Sequence, residues 1–332
     1  MRKLTIFSAI MTLFIVIGIV LIYSLKFIII DILIDNDKLR LASALYGEDA
    51  VLEKISKNDY ISVVSKGSSS NIYVDKIEKE EKIKNSYEEE ILSKDKGNRN
   101  YKIINLKING YKSYLVAIYD PSKIKLVSSK GFNQHNTGQQ TVKEICERYK
   151  GMVCVNGGGF VDYGTGSDIP YGVVIEDGKI TWEEDGVFSI VGFNKSNELV
   201  LLKSTGKEAL ENGVRDALVF EPFLISDGEI LIDKNESVGG FLGAARVAIA
   251  QRKDGIVLFL VTDGMHSKGP TVYQVAETLK KYGAWTAANL DGGASSSLVI
   301  NNKLINNPIN IYGQPVNYGN GRRVVTGFGF VK

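Results

Sequence analysis

Four loops of this chain gather carboxylates, arginines and hydroxyls beside residues that leave the backbone bare. In "ANLDGGASSSLVI", Asp291 ends an apolar run and is followed by Gly292, Gly293 and the hydroxyls Ser295 to Ser297. A carboxylate in that position can serve as nucleophile or general base, and two unhindered glycine amides can converge on an anion. In "VNGGGFVDYGTGSDIPYG", Asn156 offers an acceptor and donors beside three glycines, with Phe160, Asp162 and Asp168 further along. In "GAARVAIAQRKDG", Arg246 shares a strand face with Ala248 and Ala250, small neighbours that leave room for a phosphate or carboxylate beside the guanidinium. In "TDGMHSKGPT", Asp263 leaves a strongly apolar strand, and His266 is a candidate for substrate or acid–base contact.

Other chemistries find less support. No serine sits between glycines in the G-x-S-x-G pattern of a nucleophile elbow, and His135 and His266 are the only histidines for a Ser-His-Asp arrangement. Cys146 and Cys154 have neither redox nor metal spacing; they are either a short disulfide or two buried thiols. No cofactor is called for. An oxygen-rich calcium site drawn from Asp162, Asp168, Asp263 or Asp291 stays open.

The elements that must position these loops are short. Segments such as "YKSYLVAIYD", "KIKLVSSK", "YGVVIEDGKI", "LVFEPFLISDGEILI" and "RVAIAQRKDGIVLFLVTDG" alternate apolar residues with Asp-Gly turns, as in strands joined by hairpins. Two helices interrupt them. "TVKEICERY" has Thr141 and Glu144 at capping-box spacing, and "TVYQVAETLKKYG" repeats this with Thr271 and Gln274 before Gly283. The fold class expected is α+β: a mixed, largely antiparallel β-sheet domain with packed helices, preceded by a transmembrane helix.

That helix is expected from "MRKLTIFSAIMTLFIVIGIVLIYSLKF", where Leu4 to Leu25 carries no charge over a length that spans a bilayer. No small-x-small cleavage site follows, so residues 1–34 read as a cytoplasmic tip and uncleaved signal anchor, with the remainder extracytoplasmic. Residues 35–100 are charged and read as a stalk; residues 101–332 read as the catalytic domain. Forty Lys and Arg against 38 Asp and Glu give a net charge of +2, with no polybasic stripe for nucleic acid.

The motifs "VNGGGF", "IPYGVVIEDGKI", "FLISDGEI", "ARVAIAQRKDGIVLFLVTDG", "LKKYGAWTAANLDGGASSSLVI" and "GRRVVTGFGF" follow one another in an order that resembles the phosphodiester glycosidase family, that of the lysosomal uncovering enzyme. The resemblance implies hydrolysis of the bond between a sugar's anomeric carbon and a phosphodiester oxygen, in a phosphate-linked glycan such as an exopolysaccharide or wall polymer. It places Asn156, Arg246, Asp263, Asp291, Gly292, Gly293 and Arg323 at or near the cleft. Asp291 is then nucleophile or base, Asp263 its carboxylate partner, and Arg246 or Arg323 holds the departing phosphate. Ser295 and His266 join as substrate contacts. Glu221, before Pro222, departs from the small residue usual there and adds a carboxylate that could line the pocket. A non-catalytic glycan-binding protein of the cell envelope, and a phosphodiesterase cutting on the aglycone side, are the alternatives.

Overall fold

The computed structural model describes residues 86–93, 100–132, 139–162, 168–265 and 267–332. The expected anchor, most of the expected stalk, and His135, Tyr163 and His266 lie outside them. Among the described residues no helix is long and apolar enough to cross a membrane.

Three sheets enclose one apolar core. The first has seven strands: β1 (Tyr101–Ile108), β2 (Tyr111–Ile118), β11 (Phe223–Ser226), β12 (Glu229–Ile230), β13 (Val247–Arg252), β14 (Val257–Thr262) and β15 (Ala284–Leu290), in the order β1-β2-β14-β13-β15-β11-β12. The second contains β6 (Val173–Glu176), β7 (Lys179–Glu183), β8 (Phe188–Asn194), β9 (Leu199–Ser204) and β10 (Val214–Val219), in the order β7-β6-β10-β8-β9. The third contains β3 (Ile124–Ser128), β5 (Gly151–Asn156), β16 (Leu298–Ile300), β17 (Lys303–Leu304) and β19 (Thr326–Val331), in the order β17-β16-β5-β19-β3. A further ribbon pairs β4 (Gln140–Thr141) with β18 (Arg323–Val324). The pairings are antiparallel, as the Asp-Gly hairpins require. At Asp177-Gly178 and Asp227-Gly228 both central residues have positive φ, the conformation that matches a tight turn to strand twist.

Period-two alternation divides each strand between the shared core and an outer helix. Val247, Ile249, Phe259, Val191, Phe193, Val153, Val155 and Phe328 meet in the centre, where the Phe193 and Phe328 rings cross edge to face at 5.9 Å. Outward residues of the first sheet meet α1 (Ser86–Leu92) and α4 (Val272–Lys281); those of the second meet α3 (Gly206–Glu211), and those of the third meet α2 (Val142–Arg148). Ala248 and Ala250 therefore have a different reason to be small than the one expected. They receive Val272 and Ala276 of α4 and do not open space for a ligand.

The capping boxes at Thr141 and Thr271 form as the spacing predicts. A third, Thr205 with Glu208, opens α3 on the same signature. Residues 146 and 154 form a disulfide that joins α2 to β5. Gly151 lies beneath it, and a Cβ there would come within 2.7 Å of both sulfurs.

The charged segment before residue 101 is not all spacer. Ile91 is fully buried beside Leu115 and Leu279, and the Tyr119 hydroxyl donates to the Ile91 carbonyl at 2.8 Å. Buried Arg252 donates to both carboxylate oxygens of Glu88, to Asp254 and to the Tyr282 carbonyl. The helix Ser86–Leu92 thus packs as part of the folded domain. Arg252→Ala is expected to cost about 3 kcal/mol or more in denaturant unfolding, because it strands a mostly buried Glu88 carboxylate. Replacing both cysteines by serine is expected to cost about 2–3 kcal/mol through loop-closure entropy, with the midpoint shift as the measure.

Candidate active site

Val247 pairs with Val261 on one side and Leu290 on the other, so β14 and β15 flank β13 and finish at the same end of the sheet. That end collects Asp263 after β14, Arg246 before β13 and Asp291 after β15. The first and last are two strands apart, about 10 Å between backbones.

The Asp291 loop is held by its backbone. The Asp291 amide donates to the Gly157 carbonyl at 2.8 Å, and the Gly293 amide to the Ala245 carbonyl at 2.8 Å. Fully buried Asn156, at the end of β5, donates from Nδ2 to the Asp291 carbonyl at 2.6 Å and accepts from the Ser297 amide at 2.9 Å. Asn156 is accordingly a positioning residue that fixes both ends of the loop.

The glycines allow close backbone contact, which corrects their expected role. A Cβ on Gly292 would meet the Ala245 carbonyl at 2.7 Å, and Gly293 occupies φ +54°. The Gly293 amide is therefore committed to the fold and is not free for a phosphate, while the Gly292 amide donates to the Asp291 carboxylate. In the other glycine loop, Gly157 donates to the Thr326 carbonyl, Gly158 to the Thr326 hydroxyl and Gly159 to the Val219 carbonyl, so that run also builds no anion nest.

What remains for chemistry is a set of side chains. Asp291 is partly exposed, yet protein atoms crowd its carboxyl closely enough that burial pushes its pKa from 3.8 up to about 6. The Ser295 hydroxyl, Arg322 and the Gly292 amide favour the ionised form and limit the rise; Asp162 adds to it. Arg322 joins the cluster through an ion pair with Asp162, a 3.4 Å contact from Nη1 to the Ser295 hydroxyl, and a guanidinium carbon 5.1 Å from the Phe160 ring centre. Its side chain keeps 22% exposure.

Several expected partners are elsewhere. Arg323 is exposed in β18, opposite Thr141; its neighbour Arg322 is the arginine that faces Asp291. Nothing in "GRR" distinguishes the two before the strand direction is known. Arg246 is buried and spends its guanidinium on the carbonyls of Phe241, Leu242 and Pro270, tying together the loops before β13 and α4. Asp263 accepts from the Asn307 amide at 3.0 Å and has its carboxyl raised by burial, with Lys112 opposing. The second carboxylate in the field of Asp291 is Asp162, not Asp263. Glu221 accepts from Ser189 and lies 3.7 Å from Lys203, facing the second sheet; its carbonyl accepts from Asn289. Ser295 is the serine in contact with the Asp291 carboxyl, while the buried Ser296 and Ser297 hydroxyls have no hydrogen-bond partner among the described residues. Asp168 is also buried. Among the described residues, no three His, Cys, Asp or Glu side chains gather as a metal site, so the four aspartates considered for calcium do not assemble one.

Known proteins share this arrangement of sheets and sequence. The zebrafish N-acetylglucosamine-1-phosphodiester alpha-N-acetylglucosaminidase catalytic domain, solved auto-inhibited by its pro-peptide, superposes with a TM-score of 0.59 at 25% identity, covering 70% of this chain and 82% of that one. The mouse enzyme of the same name (Mus musculus) is 26% identical over 168 residues, 46% of this chain and 32% of its own length. The SPbeta prophage-derived uncharacterized protein YomE of Bacillus subtilis (strain 168) is 25% identical over 185 residues, 52% of this chain and 28% of its own. The chain thus spans about a third of the length of the curated relatives it matches. The pattern of the family described as phosphodiester glycosidase matches residues 149–331, from the start of β5 through β19 and across every residue of the Asp291 cluster, and the chain belongs to that family.

Proposed function

We propose that this protein hydrolyses the bond between a sugar's anomeric carbon and a phosphodiester oxygen in a cell-surface or extracellular glycan. The observation that carries the reading is the carboxyl of a partly exposed residue, Asp291, whose pKa is raised to about 6 by burial and which lies within the field of one arginine and one further carboxylate. The family assignment, and relatives named for action on N-acetylglucosamine phosphodiesters, support it.

When the glycosidic bond breaks, the electron pair leaves with the phosphate oxygen while positive character grows on the sugar carbon. Arg322 can pass from Asp162 to that oxygen, since it is partly exposed and already beside Ser295. Asp291 acts as the carboxylate at the anomeric carbon, either adding to it directly or taking a proton from the water that does. Phosphate is a good leaving group, so no strongly raised general acid is needed. The uncharged run Leu4 to Leu25 and the disulfide between residues 146 and 154 support a membrane-anchored domain in an oxidising, extracytoplasmic setting.

Because Asp291 must be ionised to act, and its folded pKa is raised, activity is expected to climb with pH through about 6 and level off above it. A rate that falls across that range would reverse the assignment and make Asp291 an acid. Asp291→Asn is expected to lower release of reducing sugar from a glycosyl phosphodiester by about 10²–10⁴-fold. If the variant turns over like wild type, Asp291 has no catalytic role. In labelled water, label should enter the sugar; label in the phosphate would instead show cleavage on the aglycone side.

The two arginines are expected to separate. Arg322→Ala combined with Asp162→Asn, which leaves no stranded carboxylate, should reduce turnover by about 10²–10³-fold with little change in unfolding midpoint, whereas Arg322→Ala alone should lower the midpoint too by leaving the mostly buried Asp162 unpaired. Arg246→Ala should lower the midpoint, since it removes donors from three buried carbonyls.

A further inference from the structure

The hairpin β1–β2 turns at the same sheet end as Asp263. Thr262 pairs with Ser113, and the Asp263 amide donates to the Lys112 carbonyl at 2.8 Å. A groove of about 530 Å³ runs along this hairpin, lined in part by Asn105, Lys107, Lys112 and Tyr114. The register sets Lys107 directly across from Lys112 and Asn105 across from Tyr114, and alternation puts all four on the face that continues the central core.

Two like charges facing each other across a strand pair destabilise it. Both lysines are exposed and neither forms an ion pair within 4 Å with another described residue; the Asp263 carboxylate, which accepts from the Asn307 amide, lies in the field of Lys112 and Tyr114 and offsets only part of the paired charge. A lysine on the edge strand β1 can be explained as protection against edge pairing, but Lys112 lies on β2, between β1 and β14, where there is no edge to protect. An anion between the two ammonium groups would relieve the repulsion, and the partly exposed Tyr114 offers an apolar ring face alongside.

We propose that this groove binds an anionic segment of the glycan, with a phosphate or carboxylate bridging Lys107 and Lys112 and a sugar ring against Tyr114. The proposal rests on the function given above and extends it to the polymer beyond the cleaved bond. From β2 to β15 is three strand spacings, about 14 Å, so one ligand occupying groove and cleft is an oligomer and not a single sugar phosphate. The hairpin precedes residues 149–331, so this preference is carried outside the stretch that matches the family pattern.

Binding of a poly(glycerol phosphate) oligomer and of a neutral dextran oligomer, measured by calorimetry at two salt concentrations on the full chain, tests the proposal. Wild type should bind the anionic oligomer with salt-sensitive affinity and prefer it to dextran. Lys107→Ala with Lys112→Ala should weaken that binding about tenfold or more without lowering the unfolding midpoint. With a cleavable polymer the double variant should raise KM and leave kcat, and turnover of a small glycosyl phosphodiester, unchanged. Equal affinity of wild type and double variant, or no binding of the anionic oligomer, overturns the groove. Lysine-dependent binding in a protein that cleaves no glycosyl phosphodiester upholds the groove and sinks the catalytic reading instead.

Discussion

The Asn156 carboxamide holds the Asp291 loop at both ends, accepting from Ser297 and donating to the Asp291 carbonyl from a fully buried position. Its partner, the Ser297 amide, would otherwise be buried without a bond, a loss of about 1–3 kcal/mol. β5 can present Asn156 there only because Gly157 and Gly327 let two strands approach closely. A Cβ on Gly157 would fall 2.3 Å from Leu218, and one on Gly327 would fall 2.1 Å from the Val155 carbonyl. The third sheet is thereby locked to the end of the first, and the Asp291 loop is the seam between them.

This seam divides the labour between backbone and side chains. The amides of Gly157, Gly158, Gly159 and Gly293 are consumed in joining loops, and Arg246 is consumed in joining the segments around Phe241 and Pro270. Ala244 and Ala245 are gripped by Gly264, Gly269 and Gly292, with backbone approaches that tolerate no Cβ. These contacts hold Asp291 in surroundings that raise its pKa while the residue stays partly exposed. Arg322, Asp162 and Ser295 gather at Asp291 through side-chain contacts and depend on the frame for their positions.

Much of the scaffold was legible before the structure. Alternation in "RVAIAQRKDGIVLFLV" gives β13 and β14 with their turn, and Thr141 with Glu144 and Thr271 with Gln274 give two helix starts, because these signals are local and act within a few residues. The site was legible as a set of loops and less so as a set of roles. Asp291 and Ser295 were named and do lie together, whereas Arg322 was missed in favour of Arg323, which points the other way across β18. Asp162 was noticed in its loop, but Asp263 was preferred as the partner because both aspartates end strands.

The sequence by itself determined which segments are strands, where the hairpins turn, and that Asp291 leaves a buried strand among small residues. Tertiary structure decided which of its neighbours share its field. Register and sheet order place Asp162 and Arg322 on Asp291 from 129 residues before and 31 residues after it in the chain, and turn Arg246 inward onto carbonyls. Whether an arginine faces a ligand or a carbonyl depends on which strand packs beside it, and that contact is made between residues far apart in sequence, where no local pattern records it.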